Sequence, residues 1–177
     1  SEGLGKSLFA GGFARYLLCL NPIAQSTVGR LADTDVACGT CKNCLKGGVG
    51  NHPDILTIEP EQGSKNIKID QIRWLSEFVI RSSHSGGAKV AIIANAHLLN
   101  TNAANALLKT LEEPNSNTHV FLVSDHPGRL VATIRSRCQK LAFQAPRADI
   151  AAPWLQAIIG AGNVGSILEA SDMRPLI

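Results

Sequence analysis

Two short apolar runs, Val90-Ala-Ile-Ile93 and Val120-Phe-Leu-Val123, flank the segment Thr101-Asn-Ala-Ala-Asn-Ala-Leu-Leu-Lys-Thr-Leu-Glu-Glu-Pro114 and decide the fold. Polar residues bound each run, a pattern typical of a central strand that is buried on both faces. The segment between the runs has apolar side chains spaced three or four positions apart, which share one face of a helix: Ala104, Leu107, Leu108 and Leu111. Strand, helix and strand at this spacing predict a βαβ unit with parallel strands and hence an α/β fold.

The composition is that of an ordinary globular chain. Of its 177 residues, 45% are hydrophobic and 18% are charged, so apolar material for a core is ample. The net charge of +3 permits contact with nucleic acid but is too small to argue for it. No apolar run approaches the roughly 20 residues of a membrane span, and no signal peptide is evident. We therefore predict a cytoplasmic protein without a membrane partner.

The first residues, Ser1-Glu-Gly-Leu-Gly-Lys-Ser7, match most of the P-loop pattern G-x-x-x-x-G-K-[ST]. The first glycine of that pattern would precede Ser1, so we expect the sequence to begin inside the motif, without the strand that precedes a P-loop. In such a loop backbone N–H groups hold phosphate, the lysine reaches the β- and γ-phosphates, and the serine ligates Mg²⁺. A glycine-rich helix start with one exposed lysine is the alternative. The candidate nucleotide-binding residues are Gly3, Leu4, Gly5, Lys6 and Ser7.

Further elements follow from apolar spacing and turn residues. A helix is predicted from Ser7 to about Leu20, a strand within His52–Ile58, and a short strand at Leu141–Phe143. The apolar face of the first helix would consist of Leu8, Phe9, Phe13, Tyr16, Leu17 and Leu20. A later helix would bury Ile69, Ile72, Leu75, Phe78 and Val79. Helical spacing between Pro153 and Ala170 predicts the start of a second domain, so we divide the chain into residues 1–145 and 146–177.

The cysteines indicate a metal site. Cys38-Gly-Thr-Cys41-Lys-Asn-Cys44 contains two successive C-x-x-C steps, and a tetrahedral Zn²⁺ needs four ligands. On spacing alone the fourth ligand can be any of Cys19, Cys138, His52 and His84, and three unrelated surface thiols are the alternative. Four sulfur ligands would leave no open position, so such a zinc would be structural. The segment from Asn21 to Ala37 is predicted to be a loop.

The string Asn105-Ala-Leu-Leu-Lys-Thr-Leu-Glu-Glu-Pro114, followed by Ser136-Arg137-Cys138, resembles the clamp-loader family of AAA+ ATPases. The resemblance extends from Gly3 to about Phe143, with the motifs in the order of the family. It implies a P-loop NTPase-like parallel sheet flanked by helices, a zinc-binding insertion over residues 19–50, and the start of a small helical lid. It also implies that Cys19 is the fourth zinc ligand, because the family has a cysteine at the end of its first helix.

One catalytic element of that family is missing. A P-loop ATPase ends its second core strand with Asp-Glu, which order Mg²⁺ and orient the attacking water. Here Ala94-Asn95 stand at that point, and the nearby His97 does not replace the pair. We expect Asp125 and Glu59 to lie elsewhere in the fold. The sequence therefore predicts a loop that can still bind ATP or ADP but does not hydrolyse it.

The resemblance implies a non-catalytic stator subunit of the DNA polymerase III clamp loader, itself part of a nucleotidyltransferase complex. Its partners would be the gamma/tau and delta subunits and, through the assembled loader, the sliding clamp and primed DNA. Ser136 and Arg137 would form the catalytic motif, with Arg137 as an arginine finger in the ATP site of a neighbouring subunit. From the residues alone, Arg129 and Arg135 are equal candidates, and a local salt bridge is the alternative role.

Two other functions are compatible with parts of the sequence. The first is an active ATPase motor subunit of the gamma/tau type, which the loss of Asp-Glu disfavours. The second is a zinc-dependent nucleic-acid module, which would need a basic face around the cysteines. Only Lys42 and Lys46 lie there, too few for strong phosphate binding.

Overall fold

The computed structural model describes residues 3–25, 34–48, 52–112 and 117–147. Residues 1–140 form one compact unit and residues 141–177 a second. The predicted helix between residues 153 and 170 lies outside the described residues, and the division at residue 145 stays a prediction. In chain order the elements are α1 (Lys6–Leu18), β1 (Ile23–Gln25), β2 (Thr34–Val36), α2 (Lys42–Gly48), β3 (Ile55–Ile58), α3 (Ile69–Ile80), β4 (Lys89–Ile93), α4 (Thr101–Glu112), β5 (Thr118–Leu122) and α5 (Ala132–Arg135).

The centre of the first unit is a parallel sheet in the order β3-β4-β5. Ile55 pairs with Val90, and Lys89 pairs with Thr118, so both neighbours of β4 run in its direction. This confirms the predicted βαβ unit of β4, α4 and β5. Every residue of β4 is buried, as predicted, whereas most of β5 is only half-buried. The prediction of full burial is wrong for β5 because this strand is an edge of the sheet within the described residues.

Helices α3 and α4 cover one face of the sheet. Ile72, Leu75 and Leu107 have no exposed surface, and they pack with Ile58 and Ile93 in one core cluster. The prediction for α3 is confirmed, since its buried residues fall on the predicted face. In α4, Ala104 and Leu107 are buried, and Leu108 and Leu111 pack partly buried against the same cluster.

Helix α1 covers the opposite face, but mostly with side chains other than those that the apolar spacing indicated. Its buried residues are Ala10, Ala14 and Leu18, which pack with Val90 and Ile92 of β4. Among the residues of the predicted face, the fractional exposure is largest for Leu8, at 82%. The prediction is wrong for most of this face because alanines spaced four apart bring the helix close to the sheet. Of the predicted side chains, Leu17 packs partly buried against the cluster and the ring of Phe13 contacts that of Phe121 in β5.

Two further predictions need correction. The segment Asn21–Ala37 contains β1 and β2, which pair antiparallel with Ile23 opposite Val36, so it is not simply a loop. Leu141–Phe143 form no strand, and no described strand pairs with them. Segments of three residues carry too little periodicity to separate a strand from a loop. In the described part of the chain, no helix has the length and apolar character needed to span a membrane.

Candidate functional site

The glycine loop leads directly into α1. Gly3 and Gly5 have φ angles of 81° and 72°, in the left-handed region that glycine adopts without strain. The helix begins at Lys6, and the carbonyl of Gly5 accepts the first helical hydrogen bond from the N–H of Phe9, 2.8 Å away. Because the first N–H groups of a helix have no partner within it, this end of α1 suits an anion. The loop geometry therefore fits the phosphate of a nucleotide.

The ammonium of Lys6 lies 2.6 Å from the carboxylate of Asp125. The two side chains are 15% and 14% exposed. The expectation that Asp125 lies elsewhere in the fold is wrong. Asp125 follows β5, and the carboxyl end of a strand in a parallel sheet is where ligand sites form. The hydrogen bond from Lys6 lowers the pKa of Asp125, so the carboxyl group of Asp125 is ionised at neutral pH.

The end of β4 carries no carboxylate. The first residue after the strand, Ala94, donates from its N–H to the carbonyl of Ile58 at 2.8 Å, which fixes the path of the chain there. Asn95 follows with a φ of 54° and begins a short 3₁₀ turn at Ala96–Leu98. His97, inside that turn, places its Nδ1 3.3 Å from the Ser124 hydroxyl, so it contacts the loop after β5. The first residues after the strand therefore offer no acid to order Mg²⁺ or water.

Four cysteines come together at the far end of α1. The sulfur atoms of Cys19, Cys38, Cys41 and Cys44 all lie within 4.8 Å of one another. Cys19 follows the last residue of α1, and Cys44 lies in α2. The other candidate ligands are not part of this group: Cys138, His52 and His84. The donor set, four thiols in one group, fits a closed tetrahedral zinc site.

Backbone amides point at the cysteine sulfurs. The N–H of Cys41 donates to the sulfur of Cys38 at 3.3 Å, and the N–H of Cys38 donates to the sulfur of Cys19 at 3.3 Å. The amide of Cys41, together with the backbone and the hydroxyl of Thr40, lowers the pKa of Cys38 to about 6, whereas burial raises the pKa of Cys44 to about 12. The segment from Cys38 to Cys44 thus favours a thiolate at Cys38, and a bound cation would favour thiolates at the other cysteines.

The structure adds one residue that the sequence analysis missed. Asn43, which lies between Cys41 and Cys44 in the sequence, is buried and donates from Nδ2 to the carbonyl of Leu18, 2.8 Å away. Leu18 is the last residue of α1, where a helix leaves carbonyls without intrahelical partners. Asn43 therefore holds α2 against α1 and brings Cys44 towards Cys19. Its position inside a C-x-x-C step was the only available signal.

Arg137 is exposed and lies just after α5. Its guanidinium is 2.6 Å from the carboxylate of Glu112 and also donates to the carbonyl of Thr133 at 3.1 Å. Ser136 donates from its hydroxyl to the same carbonyl at 3.0 Å. Ile134, 1% exposed, anchors α5 in the core. The structure thus shows Arg137 in a local salt bridge, which the sequence analysis gave as the alternative to an arginine finger. The helix α5 before it is held in place by the buried Ile134.

These features define the class of the protein. A parallel sheet whose carboxyl edge meets a glycine loop, with helices on both faces, is the fold of P-loop proteins of the AAA+ clamp-loader type. A solved structure, a DNA polymerase III gamma subunit-related protein from Thermotoga maritima, is similar with a TM-score of 0.57 and 30% sequence identity. The similarity covers 66% of this chain and 38% of that chain.

A family model described as "DNA polymerase III, delta subunit" matches residues 1–147. The chain is also 42% identical over 153 residues to the DNA polymerase III subunit delta' of Pseudomonas aeruginosa. The matched region covers 86% of this chain and 44% of that protein. The corresponding protein of Bacillus subtilis is 43% identical over 143 residues, 81% of this chain and 40% of that protein. The chain belongs to the DNA polymerase III subunit delta' family. It spans less than half the length of these two relatives.

Proposed function

We propose that this chain is the nucleotide-binding-like part of a non-catalytic stator subunit of the DNA polymerase III clamp loader. The observation that carries the proposal is the end of β4, where Ala94 and Asn95 stand in place of an acidic pair. Without those carboxylates the subunit keeps the ATPase fold but lacks the groups that order Mg²⁺ and water. The partners in this proposal are the gamma/tau and delta subunits and, through the assembled loader, the sliding clamp and primed DNA.

The proposal assigns Arg137 as an arginine finger to the ATP site of a neighbouring subunit. A guanidinium is always charged and can bind two oxygens at once, so it suits the charge that develops on a transferring phosphoryl group. Two observations support the assignment. Arg137 is solvent-exposed, and the preceding helix is anchored by Ile134, so the side chain projects from a fixed base. Glu112 would hold the guanidinium until a phosphate competes for it.

The proposal gives zinc a structural role at the four cysteines. The metal would fix α2 and the paired strands β1 and β2 to the end of α1, a region whose described residues include few buried apolar side chains. Because four thiolates fill the coordination sphere, the metal would take no part in ATP chemistry. The glycine loop and Lys6 are assigned to ATP or ADP binding without turnover, and residues 146–177 to the start of a helical lid.

A hydrolysis assay with the purified full-length subunit tests the missing catalytic pair. We expect no ATP turnover above background, and the same result for Lys6→Ala, which removes the loop lysine. A loader reconstituted without this subunit should lose DNA-stimulated ATP hydrolysis and clamp loading. ATP turnover by the isolated subunit that disappears in Lys6→Ala would contradict the proposal and favour a motor subunit of the gamma/tau type.

A further inference from the structure

We propose that Asp125 is an internal competitor of nucleotide phosphate, which lowers the affinity of the glycine loop for ATP and ADP by holding the ammonium of Lys6. The inference rests on the nucleotide-loop part of the proposed function and adds the residue that limits binding there. It follows from the contact itself, since the lysine that a P-loop directs at the β- and γ-phosphates is 2.6 Å from a carboxylate of this chain.

The burial of this ion pair makes it more than a surface contact. Lys6 and Asp125 are exposed by only 15% and 14% at their side chains, so solvent and salt screen them less than exposed pairs. A carboxylate and a phosphate oxygen offer an ammonium the same kind of acceptor. A phosphate group at the loop must therefore either draw Lys6 away from Asp125 or share it beside a second negative charge.

The position of Asp125 is fixed by its neighbours. The Ser124 hydroxyl accepts from the N–H of His126 at 3.1 Å and lies 3.3 Å from Nδ1 of His97. The rings of His97 and His126 meet edge to face, with their centres 5.0 Å apart. The loop after β5 is thereby tied to the turn after β4. Lys6 has a flexible four-carbon stem, so the lysine is the partner that must move when phosphate arrives.

The proposal predicts that the penalty depends on phosphate. Adenosine carries no charge that Asp125 can repel and makes no use of Lys6. ADP and ATP carry phosphates that Asp125 repels and that Lys6 would bind. Replacing the carboxylate by an amide of the same shape should therefore strengthen binding of the charged nucleotides and leave adenosine unchanged.

Calorimetry with the full-length subunit tests this prediction, with Mg²⁺-ATPγS, Mg²⁺-ADP and adenosine as probes. We expect Asp125→Asn to bind Mg²⁺-ATPγS at least about 10-fold more tightly than the wild type, because a repelling charge is removed and a cation is released. Adding Lys6→Ala to Asp125→Asn should abolish the gain. The matched control is Asp70→Asn, which removes one negative charge from a side chain that is 78% exposed on α3.

Several outcomes would overturn the proposal. Equal or weaker ATPγS binding by folded Asp125→Asn would do so, as would the absence of binding in both wild type and variant. A gain that persists in the double variant would show that Lys6 is not involved. If neither Asp125→Asn nor Asp125→Ser folds, the pair is a structural element and the proposal is wrong. The stator function is tested separately in the reconstituted loader, so either can fail without the other.

Discussion

The guanidinium of Arg137 lies 2.6 Å from the carboxylate of Glu112, so the last residue of α4 orients the side chain assigned as the arginine finger. Both side chains are more than a third exposed, at 38% and 48%, and water therefore screens the attraction between them. A contact of this kind orients a side chain without holding the fold together.

Glu112→Ala should accordingly change the free energy of unfolding by no more than about 1 kcal/mol, the usual limit for an exposed ion pair. Urea denaturation of the full-length subunit measures this value. Arg73→Ala, which breaks the exposed pair with Asp70, is a suitable comparison. A loss of more than about 2 kcal/mol in Glu112→Ala would show that the salt bridge is structural, in conflict with an Arg137 that is available to a partner.

Zinc content tests the cysteine group. We expect one equivalent of zinc in the freshly purified wild type and less than half an equivalent in Cys19→Ser, because one of four ligands is lost. Removal of a ligand from a site worth about 10–16 kcal/mol in small peptides should also speed amide exchange in residues 19–25 and 34–48. Cys138→Ala is the control, since Cys138 lies outside the group and packs against the core. Full zinc in Cys19→Ser, or zinc loss in Cys138→Ala, would contradict the ligand assignment.

The two faces of the sheet allow a direct test of packing. Leu107→Ala on α4 should lower the free energy of unfolding by about 2–5 kcal/mol, because Leu107 is fully buried. Leu8→Ala on α1 should change it by less than about 0.5 kcal/mol, since Leu8 is 82% exposed. Urea denaturation compares the two variants in one experiment. A larger loss for Leu8→Ala than for Leu107→Ala would reverse the assignment of the buried faces.

Stability should depend on acid pH through Asp54. Burial alone would raise its pKa, but hydrogen bonds from the Ser85 hydroxyl and from the backbone N–H groups of His84 and Ser85 lower it below the ordinary value of 3.8. A lowered folded pKa gives stability that is present above about pH 4 and lost as the pH falls through the folded value. Asp54 is 1% exposed and holds the loop before β4.

Asp54→Asn should therefore cost about 1–3 kcal/mol at pH 7, the range for a buried charged hydrogen-bonding group. The difference in free energy of unfolding between this variant and the wild type should shrink when the pH is taken from 5 to 3. Urea denaturation at pH 7, 5 and 3 follows this trend, with the exposed Asp70→Asn as the control. A difference that grows towards acid pH would mean that the pKa of Asp54 is raised rather than lowered.

The parallel core could be predicted because its signals are local. The β4 run is continuously apolar, and α3 and α4 have clear helical spacing, so each element reveals its buried side. The buried side of α1 could not be predicted in this way, since Ala10 and Ala14 are weak hydrophobic signals beside Phe9 and Phe13. Only the approach of α1 to β4 shows that the small side chains face inward.

The candidate site was predictable to a similar extent. The spacing of Cys38, Cys41 and Cys44 indicated a metal site, whereas the choice of Cys19 needed the family resemblance. The contact between Lys6 and Asp125 joins α1 to the end of β5 and leaves no local pattern, so it could not be predicted from sequence spacing.

The central claim is that this subunit acts on an ATP site that is not its own. The most direct test is DNA-stimulated ATP hydrolysis by a reconstituted loader that carries Arg137→Ala. We predict assembly and zinc content as in the wild type and a loss of ATP hydrolysis, towards the roughly 10³- to 10⁵-fold effect of arginine fingers in other P-loop enzymes at the affected site. Arg135→Ala, an exposed arginine on the same segment, should leave the rate unchanged. Wild-type hydrolysis and clamp loading with Arg137→Ala would contradict the account.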